Sequence, residues 1–285
     1  MTAVRRDASI AVVTIVSGRH DHLRAQLRGL DVGTVVPGRH VVVAMDDPDV
    51  HSLVDGRPDT TVLDLQCGKD GLELAAARNL GAGSAVDAGA DLLVFLDVDC
   101  VPGRDLLDTY RRAAGTTDAQ KLLFCGPVTY LPADHDLRAL ESSTDPHPAR
   151  PNPAVGNLLV DDEVTLFWSL SFAITAANWR AIGGFHTGYR GYGGEDTDFA
   201  MTASAKGFRL CWVGGAHAYH QWHPVSDPPV EHIDDILRNA AVFRDRWHWW
   251  PMDGWLRAFE DTGLITYDSD RRCWCRTDRS PQPRS

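Results

Sequence analysis

The stretch Leu92-Leu93-Val94-Phe95-Leu96-Asp97-Val98-Asp99 decides the fold. Five apolar residues without polar alternation are what a strand buried on both faces requires. The two acids that close the run sit at the carboxyl end of that strand, where a buried charge is costly unless a counter-charge meets it. In an extended segment residues two apart project to the same face, so Asp97 and Asp99 are expected to address one hard cation and, through it, a diphosphate. The plainer reading, acids that end a strand in water, stands beside this until a second motif is considered.

Upstream, residues 10–16 (Ile-Ala-Val-Val-Thr-Ile-Val) repeat the buried-strand pattern, and the polar Ser17-Gly18-Arg19-His20-Asp21 leads into a predicted helix with Leu23, Leu27 and Leu30 on one face. Residues 40–45 form another strand that ends in Asp46-Asp47-Pro48-Asp49, residues 61–65 a third, and residues 72–88 a helix with Leu74, Ala77, Leu80 and Ala85 at helical spacing. Strands alternating with helices of this length predict an α/β fold, a Rossmann-like, mostly parallel sheet flanked by helices, with its ligand crevice beyond the carboxyl ends of the strands. The polar clusters fall at that edge. Downstream, apolar runs at 122–126 and 167–175 flank a Pro-rich stretch, 145–153, expected to be a mobile loop. Residues 195–206 predict a helix, 208–213 a strand and 230–246 a helix. We expect one domain over 1–265, with a nucleotide-binding part at 8–120 and an acceptor part at 121–265, followed by a flexible tail at 266–285.

Composition narrows the function. The 285 residues are 44% hydrophobic and 24% charged, with nine Trp and nine Phe, which is ordinary globular usage. The 28 Lys and Arg against 39 Asp and Glu give a net charge of −11, which argues against a nucleic-acid partner. Six cysteines without a CxxC pair predict a reduced, cytoplasmic chain. We expect no secretory leader at the start, and no apolar run approaches the ~20 residues of a membrane span. Arg271, Arg272, Arg276 and Arg279 leave a peripheral contact with an anionic membrane open, but a solvated terminus explains them as well. Trp247-His248-Trp249-Trp250 is read as core or interface rather than as a carbohydrate platform.

The second motif is Gly191-Tyr192-Gly193-Gly194-Glu195-Asp196-Thr197-Asp198. Glycines permit a tight turn and close approach of a ligand, and acids in the first turn of a helix are favoured by the macrodipole. Helix capping alone does not need three acids in four residues, and Tyr192 offers a flat face to a sugar ring. The third motif places His217, His220 and His223 after the predicted strand 208–213. Imidazole nitrogen together with carboxylate and phosphate oxygen suits Mn²⁺, and any of the three could serve.

Together these residues resemble the inverting GT-A-fold glycosyltransferases of family 2 and the related β-1,4-galactosyltransferases, over roughly residues 8 to 225. The resemblance implies transfer of a hexosyl group from a nucleoside diphosphate sugar, UDP-sugar favoured, to a hydroxyl acceptor with inversion. It implies Asp196 as general base, Glu195 holding a sugar hydroxyl, and a divalent metal, Mn²⁺ favoured and Mg²⁺ the alternative, on Asp99 and His220, with His223 as the other candidate. Asp97 and Val98, Val16, Ser17 and Arg19, Asp46 or Asp47, Arg78 and Asn79 would embrace the donor nucleotide, and Tyr192, Gly193 and Gly194 would line its sugar. The galactosyltransferases carry Trp in place of Tyr192 and add a Met metal ligand that has no match here. Two rivals stay open: a nucleotidyltransferase acting on sugar phosphates, for which Gly18-Arg19 is a poor phosphate loop, and a non-catalytic nucleotide-sugar-binding protein, which would not need Asp196.

Overall fold

A computed structural model describes residues 8–116 and 120–277; residues 1–7, where a leader was sought, and Arg279 lie outside them. The chain begins with strand β1 (Ile10–Val16), helix α1 (His20–Asp31), β2 (Arg39–Met45), the short α2 (Val50–Leu53), β3 (Thr60–Leu65), α3 (Leu74–Asp87) and β4 (Leu92–Leu96). It continues through β5 (Cys100–Pro102), α4 (Leu106–Ala114), β6 (Leu122–Cys125), β7 (Val128–Tyr130), β8 (Leu158–Asp161), β9 (Ser171–Thr175) and α5 (Ala176–Ile182). The last part holds α6 (Glu195–Ala205), β10 (Arg209–Val213), β11 (Ala218–His220), α7 (Ile233–Trp247), α8 (Asp253–Asp261), β12 (Ile265–Asp268) and β13 (Cys273–Arg276).

Eight strands form one sheet in the order β3-β2-β1-β4-β9-β6-β10-β8. The first four are mutually parallel, as their apolar, β-branched runs predict. β9 is inserted antiparallel between β4 and β6, and β8 closes the far edge antiparallel to β10. Both faces are covered. Val13, Val41, Val43 and Phe95 pack with α3, whose alanines allow close approach, and a Cβ on Gly81 would come within 2.6 Å of Val13 Cγ1. On the other face Val12, Val94 and Phe124 pack with Leu106, Leu107 and Tyr110 of α4. Phe95 and Phe172 stack at 4.4 Å across β4 and β9, and Phe185 stacks on Phe199 of α6 at 4.2 Å.

A second sheet, β5-β11-β7, lies beyond the carboxyl end of β4. Its register sets His220 opposite Cys100, and so next to Asp99. The segment 145–153 is irregular but anchored rather than free: Asp145 N–H donates to Thr129 Oγ1 at 2.9 Å, His147 N–H donates to Val128 O at 2.8 Å, and Arg150 is buried. Residues 266–277, expected within a flexible tail, carry regular structure. β12 and β13 pair antiparallel, and Ile265 and Trp274 join the apolar cluster of α7 and α8. The arginines around these residues mask that apolar contribution in the composition; Arg276 pairs with Asp234 of α7. Among the described residues no helix is long and apolar enough to cross a membrane.

Candidate active site

Residues 97–100 are a turn, not an extended strand: Cys100 N–H donates to Asp97 O at 2.8 Å. The two carboxylates therefore part company instead of sharing one cation. Asp97 Oδ1 accepts from Arg78 NH2 at 2.9 Å. Asp99 turns to the other side, where His220 Nε2 lies 3.5 Å and His223 Nε2 3.6 Å from its oxygens and Arg19 pairs with it. Among the described residues two groups bring their ligand atoms within 4.8 Å of one another: Asp99, His220 and His223 here, and His20, Asp47 and the exposed Asp49 at the β2 end. One carboxylate and two imidazoles from β11 and the loop after it are a donor set that fits a divalent cation of the Mn²⁺ type, with room left for phosphate oxygen. His217 is turned away from them. Its Nε2 meets Thr129 Oγ1 at 2.7 Å, and burial lowers it to about 4, so it remains neutral.

A buried polar chain fixes that turn. Thr14 Oγ1 on β1 donates to Gln26 Oε1 at 2.8 Å and accepts from His40 Nε2 at 3.0 Å, and Gln26 Nε2 donates to Asp97 O at 2.7 Å and Cys100 O at 3.0 Å. Burial, with Arg57's charge second, lowers His40 to about 3, so it is neutral in this chain. Gln221 N–H holds Asp99 O at 2.7 Å. Gln26 escaped the sequence reading because a glutamine among helical leucines looks like a surface residue; only a polar residue on the leucine face, three after Leu23, hinted at it.

The second half of the site is the start of α6. Gly191, Gly193 and Gly194 have φ of 65°, 95° and 92°, and a Cβ on Gly191 would fall 2.0 Å from Asp235 Oδ2. α7 holds this turn: Asp235 Oδ2 accepts from Tyr192 N–H at 3.2 Å, and fully buried Asn239 donates to Arg190 O at 2.9 Å and Tyr192 O at 3.1 Å. Neither α7 residue carried a sequence signal. Tyr192 stays exposed on one side and stacks on His232 at 4.6 Å on the other.

Arg78 joins the two halves. Its NH2 binds Asp97, its NH1 binds Glu195 Oε1 at 3.1 Å, and its side chain is 4% exposed. Burial opposes its charge, but the Asp97 and Glu195 carboxylates outweigh that and raise its pKa. Arg78, expected beside the donor phosphates, pairs here with the carboxylates of Asp97 and Glu195. Asn79, one residue on and rotated away, is spent on the backbone of Phe185, accepting from its N–H and donating to its O at 2.8 Å each. Glu195 Oε2 is buried with no partner, which leaves it an unused acceptor. Asp196 is half-buried beside it; burial first and the Glu195 charge second push it up to about 7, against the Thr197 N–H it accepts at 2.7 Å. Asp198 is not a site residue. It is fully buried and accepts from Tyr189 Oη, Arg246 Nε and Trp247 Nε1 at 2.9, 2.6 and 2.8 Å, which also ties the half-buried Trp247 to α6.

At the β1 and β2 ends, Asp47 accepts from Gly18 N–H at 2.7 Å and from His20 Nε2 at 3.0 Å. Asp46 is exposed and accepts from Cys67 N–H at 3.1 Å. The side chains of Val16 and Val98 pack with Leu23 in the core, which leaves only their backbones for a ligand, while Ser17 is half-buried at the same edge.

Residues 156–224 match a family model described as the N-terminal domain of galactosyltransferase, a span that holds the glycine turn, Glu195, Asp196 and the histidines. The chain is 25% identical over 181 residues to a chondroitin synthase of Pasteurella multocida (strain Pm70), covering 54% of this chain and 18% of that protein. A crystal structure of GalNAc-T7 with UDP, GalNAc and Mn²⁺ superposes with a TM-score of 0.59 at 12% identity, over 91% of this chain and 58% of that one. The fold is therefore the GT-A arrangement of an α/β sheet, similar to that of the GalNAc-T7 structure.

Proposed function

We propose that this chain is a metal-dependent, inverting glycosyltransferase of the family 2 and β-1,4-galactosyltransferase type, moving a sugar from a nucleoside diphosphate donor, UDP favoured, to an acceptor hydroxyl. One observation carries the reading: a cation-ready trio, Asp99, His220 and His223, and a carboxylate raised to about 7, Asp196, belong to two halves of one crevice that Arg78 braces together. The UDP and Mn²⁺ named for the GalNAc-T7 structure support the same donor class and a divalent metal.

In this mechanism Asp99, His220 and His223 would hold a divalent metal, which would supply neutralisation of charge on the departing diphosphate. Val16, Ser17, Asp46 and Asp47 lie where the nucleoside is received, and Arg19, already on Asp99, reaches the phosphate side. Glu195 Oε2 holds a sugar hydroxyl. Asp196 takes the proton of the acceptor hydroxyl, the acceptor oxygen bonds to the anomeric carbon, and the carbon–phosphate oxygen bond breaks on the opposite face, releasing nucleoside diphosphate. A carboxylate poised near neutrality suits that task. Tyr192 offers its ring to the sugar.

The test is a donor screen of UDP-, GDP- and dTDP-sugars with Mn²⁺ or Mg²⁺, with the anomeric configuration of the product read by NMR. Release of nucleoside diphosphate, abolished by chelator and restored by metal, is expected. Pyrophosphate as product, or full turnover in chelator, would overturn the reading.

A further inference from the structure

Arg150 is a strongly buried charge that this mechanism does not use and that, unlike Asp198, meets no hydrogen-bond partner. It is 5% exposed, and its Nε, NH1 and NH2 have no hydrogen-bond partner. Its guanidinium is sandwiched between two indoles, 5.1 Å from the Trp168 ring centre and 4.9 Å from that of Trp212. Ring faces compensate part of the charge but accept none of the N–H bonds, so a planar fork of donors lies buried and unsatisfied. A guanidinium beside two ring faces, with N–H donors that are buried yet unmatched by an acceptor, suits a bidentate oxyanion.

Its surroundings say where such an anion would come from. A row of rings starts at the candidate metal ligand His220: Tyr130 lies 4.6 Å from it, His147 5.6 Å from Tyr130, and Trp168 5.1 Å from His147. Tyr130 is 48% exposed, and His147 and Trp168 are partly so. The row runs from His220 on β11 through Tyr130 on β7 to His147 and Trp168 in the stretch between β7 and β9. Partly exposed rings in a line suit sugar units laid end to end. Arg150 closes the far end of the row, behind Trp168.

We propose that the acceptor lies along Tyr130, His147 and Trp168 and carries a carboxylate or phosphate that Arg150 binds, making this chain selective for anionic acceptors. The proposal rests on the glycosyl-transfer reading for the word acceptor, and adds to it a substrate class. The guanidinium edge is shielded, so the anion reaches it as Trp168 or residues 148–153 give way. That segment is anchored on either side, by the Thr129 and Val128 contacts at 145–147 and by Gly156 N–H on Gly214 O at 3.0 Å. Displacement is thus local.

The experiment is thermal unfolding of the whole chain with methyl glucuronide, glucose 6-phosphate, methyl glucoside or UDP, in wild type, Arg150→Met and Arg150→Lys. Wild type should be stabilised by one or both acidic sugars and not by the neutral glucoside, with the carboxylate and phosphate arms telling which anion is preferred. Arg150→Met should lose that shift and, without ligand, melt no lower than wild type, because an apolar side chain of similar length relieves an unpaired buried charge. Arg150→Lys keeps the charge without the fork and should bind at least tenfold more weakly; it serves as the variant if Arg150→Met does not fold. An acidic-sugar shift that survives both substitutions, equal shifts from acidic and neutral sugars, or no shift in wild type overturns the proposal. So does a selective loss of the UDP shift in Arg150→Met, which would assign the arginine to the donor. Because binding is read without turnover, a wild type that binds acidic sugar but never cleaves a nucleotide sugar would remove the transfer reading and leave the anion site standing.

Discussion

At the residue scale the site separates groups that meet ligand from groups that hold those groups in place. Asp99→Ala should abolish metal-dependent nucleotide binding in calorimetry, because it removes the only carboxylate of the trio. His220→Ala and His223→Ala should each raise the metal concentration needed for half-maximal activity, whereas His217→Ala should not, since His217 is bonded to Thr129. A metal requirement altered by His217→Ala alone would mean the trio is wrong. Asp196 gives a pH prediction with a definite sign. Its pKa rises from 3.8 to about 7 on folding, and a base must be deprotonated to work, so kcat/KM of the free enzyme should climb with pH and level off above about 7. Asp196→Asn should lose ~10²- to 10⁴-fold in rate while still binding donor. The same shift affects stability in the opposite sense: the folded form holds that proton more tightly, so the contribution is full below pH 3.8 and fades as pH rises through about 7, and the Asn variant should show a flatter acid-side stability profile. These side chains were legible because Asp-x-Asp, Gly-Gly-Glu-Asp and the histidine run are contiguous in sequence. Which histidine drops out, and that Asp97 and Asp99 diverge, were not legible, because a turn at 97–100 and the β11 register are set by partners far along the chain.

At the scale of elements, α6 is oriented from behind. Asp198 sends its carboxylate to Tyr189, Arg246 and Trp247, so the first turn of α6 is clamped to the end of α7. Asp198→Asn keeps the size but leaves donors facing donors in a fully buried spot; unfolding in denaturant should show a loss of about 2 kcal/mol or more. Asn239→Ala should act differently. It frees the carbonyls of Arg190 and Tyr192, so the glycine turn loosens and KM for acceptor should rise more than stability falls. A variant with unchanged kinetics would make Asn239 a purely structural residue. Both helices were expected from the sequence, but not that one grips the other, since a grip between positions about 40 to 50 apart leaves no local pattern.

At the scale of the molecule, the parallel half was readable because runs such as 10–16 and 92–96 are too apolar for anything but a strand covered on both faces. The mixed half was not. Apolar runs at 122–125 and 171–175 look alike in composition, and nothing in them says that the later one enters the sheet first and backwards. That position of β9 has a consequence for how the chain is made. β4 leaves the ribosome with its outer edge bare, and β6, the next long apolar strand, is not its neighbour; the edge stays open until residue 175 has been synthesised. A fragment ending at residue 120 should therefore aggregate when expressed alone, and arrested nascent chains should gain protease resistance only once β9 has cleared the exit tunnel. Slow translation across the stretch between β4 and β9 would prolong a sticky intermediate, so yield should depend on codon speed there more than anywhere upstream.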